Sequence, residues 1–171
     1  NAVIGMNEMI LRENDNVEVQ EYARNIQSAS NMLLALVNDI LDLSQMEMQK
    51  MKLVPVTYRT TELFGELADL VRVRMERKGL EFFMDIDSNL PTMMLGDARR
   101  IKQVVLNLLD NALKYTETGS VVLSAAGERC ENGEIQLKIS VADTGIGIRK
   151  EDMEHIYDAF NRFDEKKNLR I

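Results

Sequence analysis

Apolar residues recur along the first third of the chain at Val19, Tyr22, Ile26, Ala29, Leu33, Leu36, Ile40 and Leu43. Steps of three and four alternate without a break, which is a helical seam with a period of about 3.5 residues. Met32, Val37, Leu41 and Met46 widen the seam, so this helix is expected to meet more than one neighbour. The pattern fades through Met48 and Met51 to Pro55, predicting one helix over 18–52, roughly 50 Å long. Val3, Met6, Met9 and Ile10 mark a shorter helix before it. Between them, Glu13-Asn14-Asp15-Asn16 reads as a turn whose asparagines can cap. The short arm covers only about 20 Å, leaving roughly 30 Å of seam without a partner from its own hairpin. A second copy completing a four-helix bundle would cover it, as would a longer first helix; alternatively, the long helix lies on the second domain.

After Pro55 the pattern changes. Thr60 or Thr61 can cap a helix carrying Leu63, Leu67, Leu70 and Val71, which Gly79 stops. Leu80, Phe82, Met84 and Ile86 alternate as in a strand, and Asn89-Leu90-Pro91 is a loop. Gly96-Asp97 opens the next helix, with Asp97 as cap and a buried stripe of Ile101, Val104, Val105, Leu108, Leu109 and Ala112. Thr118-Gly119 is a turn. Strands over 121–128 and 135–142 follow, joined by Glu131-Asn132-Gly133, a strong hairpin signal. Beyond Asp143 come a Gly-containing loop, a short helix around 151–157 and a polar segment over 162–171 that reads as a mobile loop. The expected fold is α+β, with a helical hairpin over 1–54 and a second domain over 55–171.

Composition narrows the function classes. Of 171 residues 45% are hydrophobic, and nine glycines and two prolines are too few for a disordered chain. No apolar run approaches the ~18 residues that a membrane-spanning helix needs, and no secretory leader is visible. The single cysteine, Cys130, cannot form an internal disulfide, which fits a reducing compartment. A net charge of −7 argues against a nucleic-acid surface. It leaves room for a nucleotide, whose charge Mg²⁺ and one or two basic residues can balance. The chain opens on Asn1, which suggests a fragment or a processed product.

Two features carry candidate chemistry. Gln103, Asn107, Asn111 and Lys114 lie three or four residues apart, on the side of their helix away from the apolar stripe. Asparagine in mid-helix lowers helix propensity, and a solvated face is more cheaply made of Glu and Lys. This side is either an ordinary wet face or the polar wall of a cleft, in which an Asn oxygen can meet Mg²⁺ and a Lys ammonium a phosphate. The second feature is Asp143-Thr144-Gly145-Ile146-Gly147, directly after a predicted strand. Its glycines permit a sharp turn, and a carboxylate at a strand end can accept a hydrogen bond from an exocyclic amine such as that of adenine. D-x-G-x-G alone is a weak signal. The loop is neither G-x-G-x-x-G nor followed by a Walker-type lysine. Cys130 has no basic neighbour in sequence, Met46, Met48 and Met51 read as loose packing, and no paired His or Cys stand at metal-ligand spacing.

Taken in order, the two features resemble the sensor histidine kinases of two-component systems, whose ATPase domain belongs to the superfamily of gyrase and Hsp90. "NLLDNALKYT" (107–116) looks like their N box, "DTGIGI" (143–148) like their first glycine box and "IYDAFNRFD" (156–164) like their F box. "GDARRIKQVVLNLLDNA" and "LVNDILDLSQME" are similar to the start of the ATPase domain and to the second bundle helix. The resemblance covers essentially the whole chain.

It implies a dimeric four-helix bundle followed by a two-layer α/β sandwich that binds ATP and Mg²⁺, with the chain ending inside the ATP lid. On this resemblance Asn111 ligates Mg²⁺, Asn107 supports the phosphate side, Lys114 touches phosphate and Tyr115 sits near the ribose or phosphates. Asp143 reads the adenine amine, Gly145, Ile146 and Gly147 form the loop under the nucleotide, and Phe160 anchors the lid. The implied partners are a second copy of the chain and the receiver domain of a response regulator. The implied setting is cytoplasmic, with attachment to the inner membrane through upstream segments. Two departures stand out. The acceptor histidine of the family's H-E-x-R-x-P box is expected about seven residues before Asn1, and His155, the one histidine present, matches no acceptor motif and is assigned to the surface. The family's second glycine box is expected beyond Ile171. The chain as given is therefore expected not to phosphorylate itself. A catalytically silent dimerisation and signalling module is the alternative. A topoisomerase-like or chaperone-like ATPase leaves the heptad hairpin unexplained.

Overall fold

The structure, a computed structural model, describes residues 2–48 and 51–155 and divides into two units, 1–53 and 54–171. The first unit is the expected hairpin, α1 (Ala2–Glu13) and α2 (Val17–Glu47). Asn16 is the N-cap of α2: its side-chain oxygen accepts the amides of Glu18 and Val19, and its extended backbone turns the chain between the arms. The long helix stops at Glu47 with Met48 as its cap, short of the predicted end near Pro55. The Met48 amide donates to the carbonyls of both Ser44 and Met46. Among the described residues of the hairpin only Ala23 and Asn7 are buried. Val3, Met6 and Met9 on α1 are exposed, as are Tyr22, Leu33, Leu36 and Ile40 on α2.

The second unit is an α+β sandwich. Its elements are β1 (Val56–Arg59), α3 (Thr60–Lys78), β2 (Glu81–Ile86), β3 (Met93–Gly96), α4 (Ala98–Tyr115), β4 (Ser120–Arg129) and β5 (Ile135–Asp143), followed by a 3-10 turn over Lys150–His155. Strands β2, β4 and β5 form a mixed sheet, with β2 parallel to β4 and β4 antiparallel to β5. The parallel pair needs a crossover, which β3 and α4 supply. The β4–β5 hairpin closes through Gly133, at φ +83°, as its Asn-Gly signal predicted. One core holds Leu63, Phe64, Leu67, Val71 and Met75 of α3 and Val105, Leu109 and Ala112 of α4 against Val121, Leu123 and Ala125 of β4. Both helices thus lie on one face of the sheet. Among the described residues no helix is long and apolar enough to cross a membrane.

Several local expectations are corrected. β1 and β3 pair as a separate antiparallel ribbon that the pattern did not announce, because four-residue strands exposed on most positions leave no alternation to read. Thr60 does not cap α3. The N-cap is Arg59, and the buried Thr60 hydroxyl donates instead to the Pro91 carbonyl, tying α3 to the loop before β3. Leu70, Val104 and Leu108 are exposed rather than core. At about 100° per residue, Val104 and Leu108 sit to one side of the Val105–Leu109–Ala112 stripe and turn towards the side that carries the asparagines. The polar segment over 162–171 lies outside the described residues, as does Tyr157.

Candidate functional site

Helix α4 is fixed at both ends. At its start, Asp97 Oδ1 accepts the Arg100 amide at 3.0 Å, and its second oxygen accepts the Val54 amide at 2.9 Å. These two backbone donors hold the carboxyl below its ordinary range. At its end, the Lys78 ammonium donates to the Leu113 carbonyl at 2.6 Å and to that of Lys114 at 3.4 Å, a cation placed at the negative end of the helix dipole. The apolar stripe then sets the helix rotation, so Asn107, Asn111 and Lys114 face out. Neither asparagine side chain bonds another described residue. Val104 (60% exposed), Leu108 (43%) and Tyr115 are interleaved with them. The exposed side of α4 is therefore mixed, with amides for polar ligand atoms and apolar groups for a flat ring or a cover. Lys114 Nζ rests over the Tyr115 ring, 5.1 Å from its centre, a cation–π contact at the surface.

The loop after β5 comes to the same end of α4. The Ile146 amide donates to the Tyr115 carbonyl at 3.3 Å. Asp143 Oδ1 accepts the Gly145 amide at 2.9 Å and the Thr116 hydroxyl at 3.3 Å. Thr144 latches the loop to the start of β4: its amide donates to the Ser120 carbonyl at 3.1 Å, and its hydroxyl oxygen accepts the Ser120 amide at 3.0 Å. The two glycines have different reasons to be glycine. At Gly145 a Cβ would stand 2.4 Å from the Tyr115 carbonyl oxygen, so nothing larger fits. At Gly147 there is open space, but φ is +65°, a region that side chains disfavour.

The structure thus brings Asp143, Gly145, Ile146 and Tyr115 into direct contact or within one residue of it, with Lys114 adjacent and Asn111 one turn back on the Tyr115 side of the helix. Phe160 lies outside the described residues. For His155 only the backbone, in the closing 3-10 turn, is described. Sequence reasoning missed Thr116, Thr144 and Lys78. The first two lie inside the quoted motifs, but nothing in a linear pattern says that their hydroxyls bridge segments. A surface depression of about 460 Å³, lined by Asp85, Asp87, Ser124, Lys138 and Ser140 among others, shares no residue with this cluster.

The donor set suits a nucleotide with Mg²⁺. No three His, Cys, Asp or Glu among the described residues gather as a metal cage. A single amide oxygen such as that of Asn111 matches Mg²⁺, which keeps most of its sphere for water and phosphate.

Residues 96–170 match the family model described as histidine kinase-, DNA gyrase B- and HSP90-like ATPase, and residues 1–49 match the His Kinase A (phospho-acceptor) domain. The signal transduction histidine-protein kinase BarA of Escherichia coli is 31% identical over 170 residues, covering 99% of this chain and 18% of BarA. Hybrid signal transduction histidine kinase K of Dictyostelium discoideum is 34% identical over 173 residues, covering 96% of this chain and 14% of its own. The chain therefore spans less than a fifth of these relatives. Among solved structures, full-length ShkA in complex with AMPPNP has a TM-score of 0.77 at 31% identity, covering 95% of this chain and 34% of that one. Histidine kinase ThkA in complex with response regulator protein TrrA shares the fold, with a TM-score of 0.60 at 21% identity, covering 94% of this chain and 46% of that one.

Proposed function

We infer, because this chain belongs to the sensor histidine kinases, that its α+β unit binds Mg·ATP and serves the transfer of the γ-phosphoryl group to a histidine. The observation that carries the reading is the clasp between Tyr115–Thr116 and Asp143–Ile146, which gathers the adenine-reading and phosphate-reading candidates at one end of α4. The ShkA structure was obtained with AMPPNP, an ATP analogue, which favours the same ligand here.

Each residue then has a task. Asp143 accepts the exocyclic amine of adenine, and Gly145, Ile146 and Gly147 support the base from below. Lys114 leaves the Tyr115 ring to meet phosphate oxygens, and Tyr115 lines the ribose or phosphate side. Asn111 supplies the Mg²⁺ ligand, and Asn107 supports the phosphates. Bound Mg²⁺ would offset negative charge on the phosphates during transfer. In that transfer the bond between the γ-phosphorus and the β–γ bridging oxygen breaks, a phosphorus–nitrogen bond forms to imidazole, and ADP leaves. The protein's share of catalysis is positioning and charge stabilisation. The acceptor is a histidine of an H-E-x-R-x-P box preceding Asn1, and the phosphoryl group passes on to an aspartate of a response-regulator receiver domain. ThkA's complex with TrrA supports that class of partner. The hairpin dimerises, as the exposed apolar seam of α1 and α2 favours. The working location is cytoplasmic, with membrane attachment through upstream segments.

The test is calorimetry of ATP binding, with and without Mg²⁺, to a protein carrying this chain in its natural flanking sequence. Asn111→Ala is expected to weaken the Mg²⁺-dependent affinity roughly tenfold or more, since even outer-shell partners of a metal contribute that much. Unchanged Mg²⁺-dependent binding would remove Asn111 from the site. Binding without acid-labile phosphate from γ-labelled ATP would favour the silent signalling module.

A further inference from the structure

We propose that Thr116 is a positioning residue that sets base specificity by holding one oxygen of the Asp143 carboxylate, so that the other is presented to an exocyclic amine. The proposal rests on the nucleotide reading above.

Thr116 is the first residue beyond α4. Its amide still donates to the Ala112 carbonyl, at 3.0 Å, while its backbone has already turned extended. The residue is 0% exposed, at the seam between α4 and the end of β5. A buried threonine near a helix end commonly satisfies its hydroxyl on a carbonyl of its own helix. This one reaches across 27 positions of sequence to Asp143 Oδ1. An ionised carboxylate only accepts, so the hydroxyl must donate. The Gly145 amide donates to that same oxygen. Oδ1 is thus held from two sides, by a group anchored to α4 and by the loop's own backbone. Oδ2 bonds no described residue.

The consequence is selectivity. The terminal torsion of an aspartate is soft, and its two oxygens are equivalent until something distinguishes them. Two donors on Oδ1 remove that freedom and give Oδ2 one direction. A fixed carboxylate oxygen welcomes the amino group of adenine and opposes the 6-oxo group of guanine or hypoxanthine, since both partners would then be acceptors. Without Thr116 the carboxylate can rotate and admit water, and the distinction weakens. Thr116 touches no ligand in this scheme and acts through Asp143.

Three probes read the effect by competition binding: ATP, purine riboside triphosphate, which lacks the 6-amino group, and inosine triphosphate, which carries a 6-oxo group. The protein with native Thr116 should prefer ATP over both. Thr116→Val keeps the buried shape and removes only the hydroxyl. It should weaken ATP about tenfold while leaving purine riboside triphosphate nearly unchanged, so that the preference collapses. That loss should persist without Mg²⁺, which separates it from the Asn111→Ala defect. Thr116→Ser should retain the preference. If Thr116→Val does not fold, Thr116→Ser against Thr116→Ala gives the same contrast, because that pair also differs only in the hydroxyl. Equal weakening of all three probes would make Thr116 a structural residue and overturn the proposal, as would an undiminished preference in the variants lacking the hydroxyl. If the native protein bound none of the triphosphates, the nucleotide reading itself would fall; if it bound all three alike, Asp143 would lose its role as base reader, and Thr116 with it.

Discussion

Replacing Gly145 by alanine adds one methyl group where the chain leaves no room. The new Cβ would lie 2.4 Å from the Tyr115 carbonyl oxygen, 2.7 Å from Asp143 Oδ1 and 2.9 Å from Thr116 Oγ1. The nearest of these is main chain and cannot swing aside. Forcing the contact costs about 1–3 kcal/mol, the range for overpacking. The loop can escape by releasing two hydrogen bonds, Ile146 N–H to Tyr115 and Gly145 N–H to Asp143, worth roughly 0.5–1.5 kcal/mol each. Either route comes to about 2 kcal/mol, and opening is the easier because the loop lies at the margin of the core. The domain should therefore stay folded with a modestly lower melting temperature, while ATP affinity drops by roughly tenfold or more as Asp143 loses its fixed orientation. Gly147→Ala is the control. It meets no atom within 4 Å and bears only the cost of φ +65°, about 1–2 kcal/mol, without touching the clasp. Its loss of affinity should be smaller. Thermal melts by circular dichroism and nucleotide titration of both variants decide the matter. A Gly145→Ala protein with native affinity, or a Gly147→Ala protein with the larger defect, would refute the reasoning.

Two further outcomes are expected. Because backbone donors depress the Asp97 carboxyl in the folded state, the stability it confers is complete above its ordinary value of 3.8 and is lost as pH falls through the lower, folded value. Urea melts should show the advantage of native protein over Asp97→Asn constant near neutrality and shrinking only in strong acid; a gap that widens on acidification would contradict the assignment. In the hairpin, Asn7 donates to the Ala23 carbonyl at 2.7 Å and to Gln27 Oε1 at 2.9 Å, but its own Oδ1 is buried without a partner among the described residues. Asn7→Leu should change hairpin stability by no more than about 1 kcal/mol in either direction, because two hydrogen bonds are lost together with an unsatisfied buried acceptor. A calorimetric loss of several kcal/mol would mean that the amide is essential to the packing.

Legibility differed by residue. Asn16, Gly79 and Asp97 were readable as helix boundaries because each acts within about four positions of itself, through a side-chain oxygen on a nearby amide or through a left-handed backbone. The role of Thr60 is not legible for the opposite reason: its partner, Pro91, is 31 positions away. The apolar stripe of α4 is wider than the face that is buried. Periodicity locates apolar residues on a helix but not the edge of what covers them, and only the contact with α3 and the sheet leaves Val104 and Leu108 outside. The ribbon of β1 with β3, and the parallel pairing of β2 with β4, were beyond reach for the same reason.

What the linear chain determined by itself was local: periods, caps and turns, together with the two motifs, whose residue types fix what bonds are chemically possible. What only the tertiary structure decided was which of those bonds are made. The end of α4 and the end of β5 are separate stretches until the core fixes helix and sheet together. That packing, driven by apolar area far from the site, brings Thr116 and Tyr115 against Asp143 and Gly145. Short-range forces act between whichever groups the core makes neighbours, and sequence distance does not enter them.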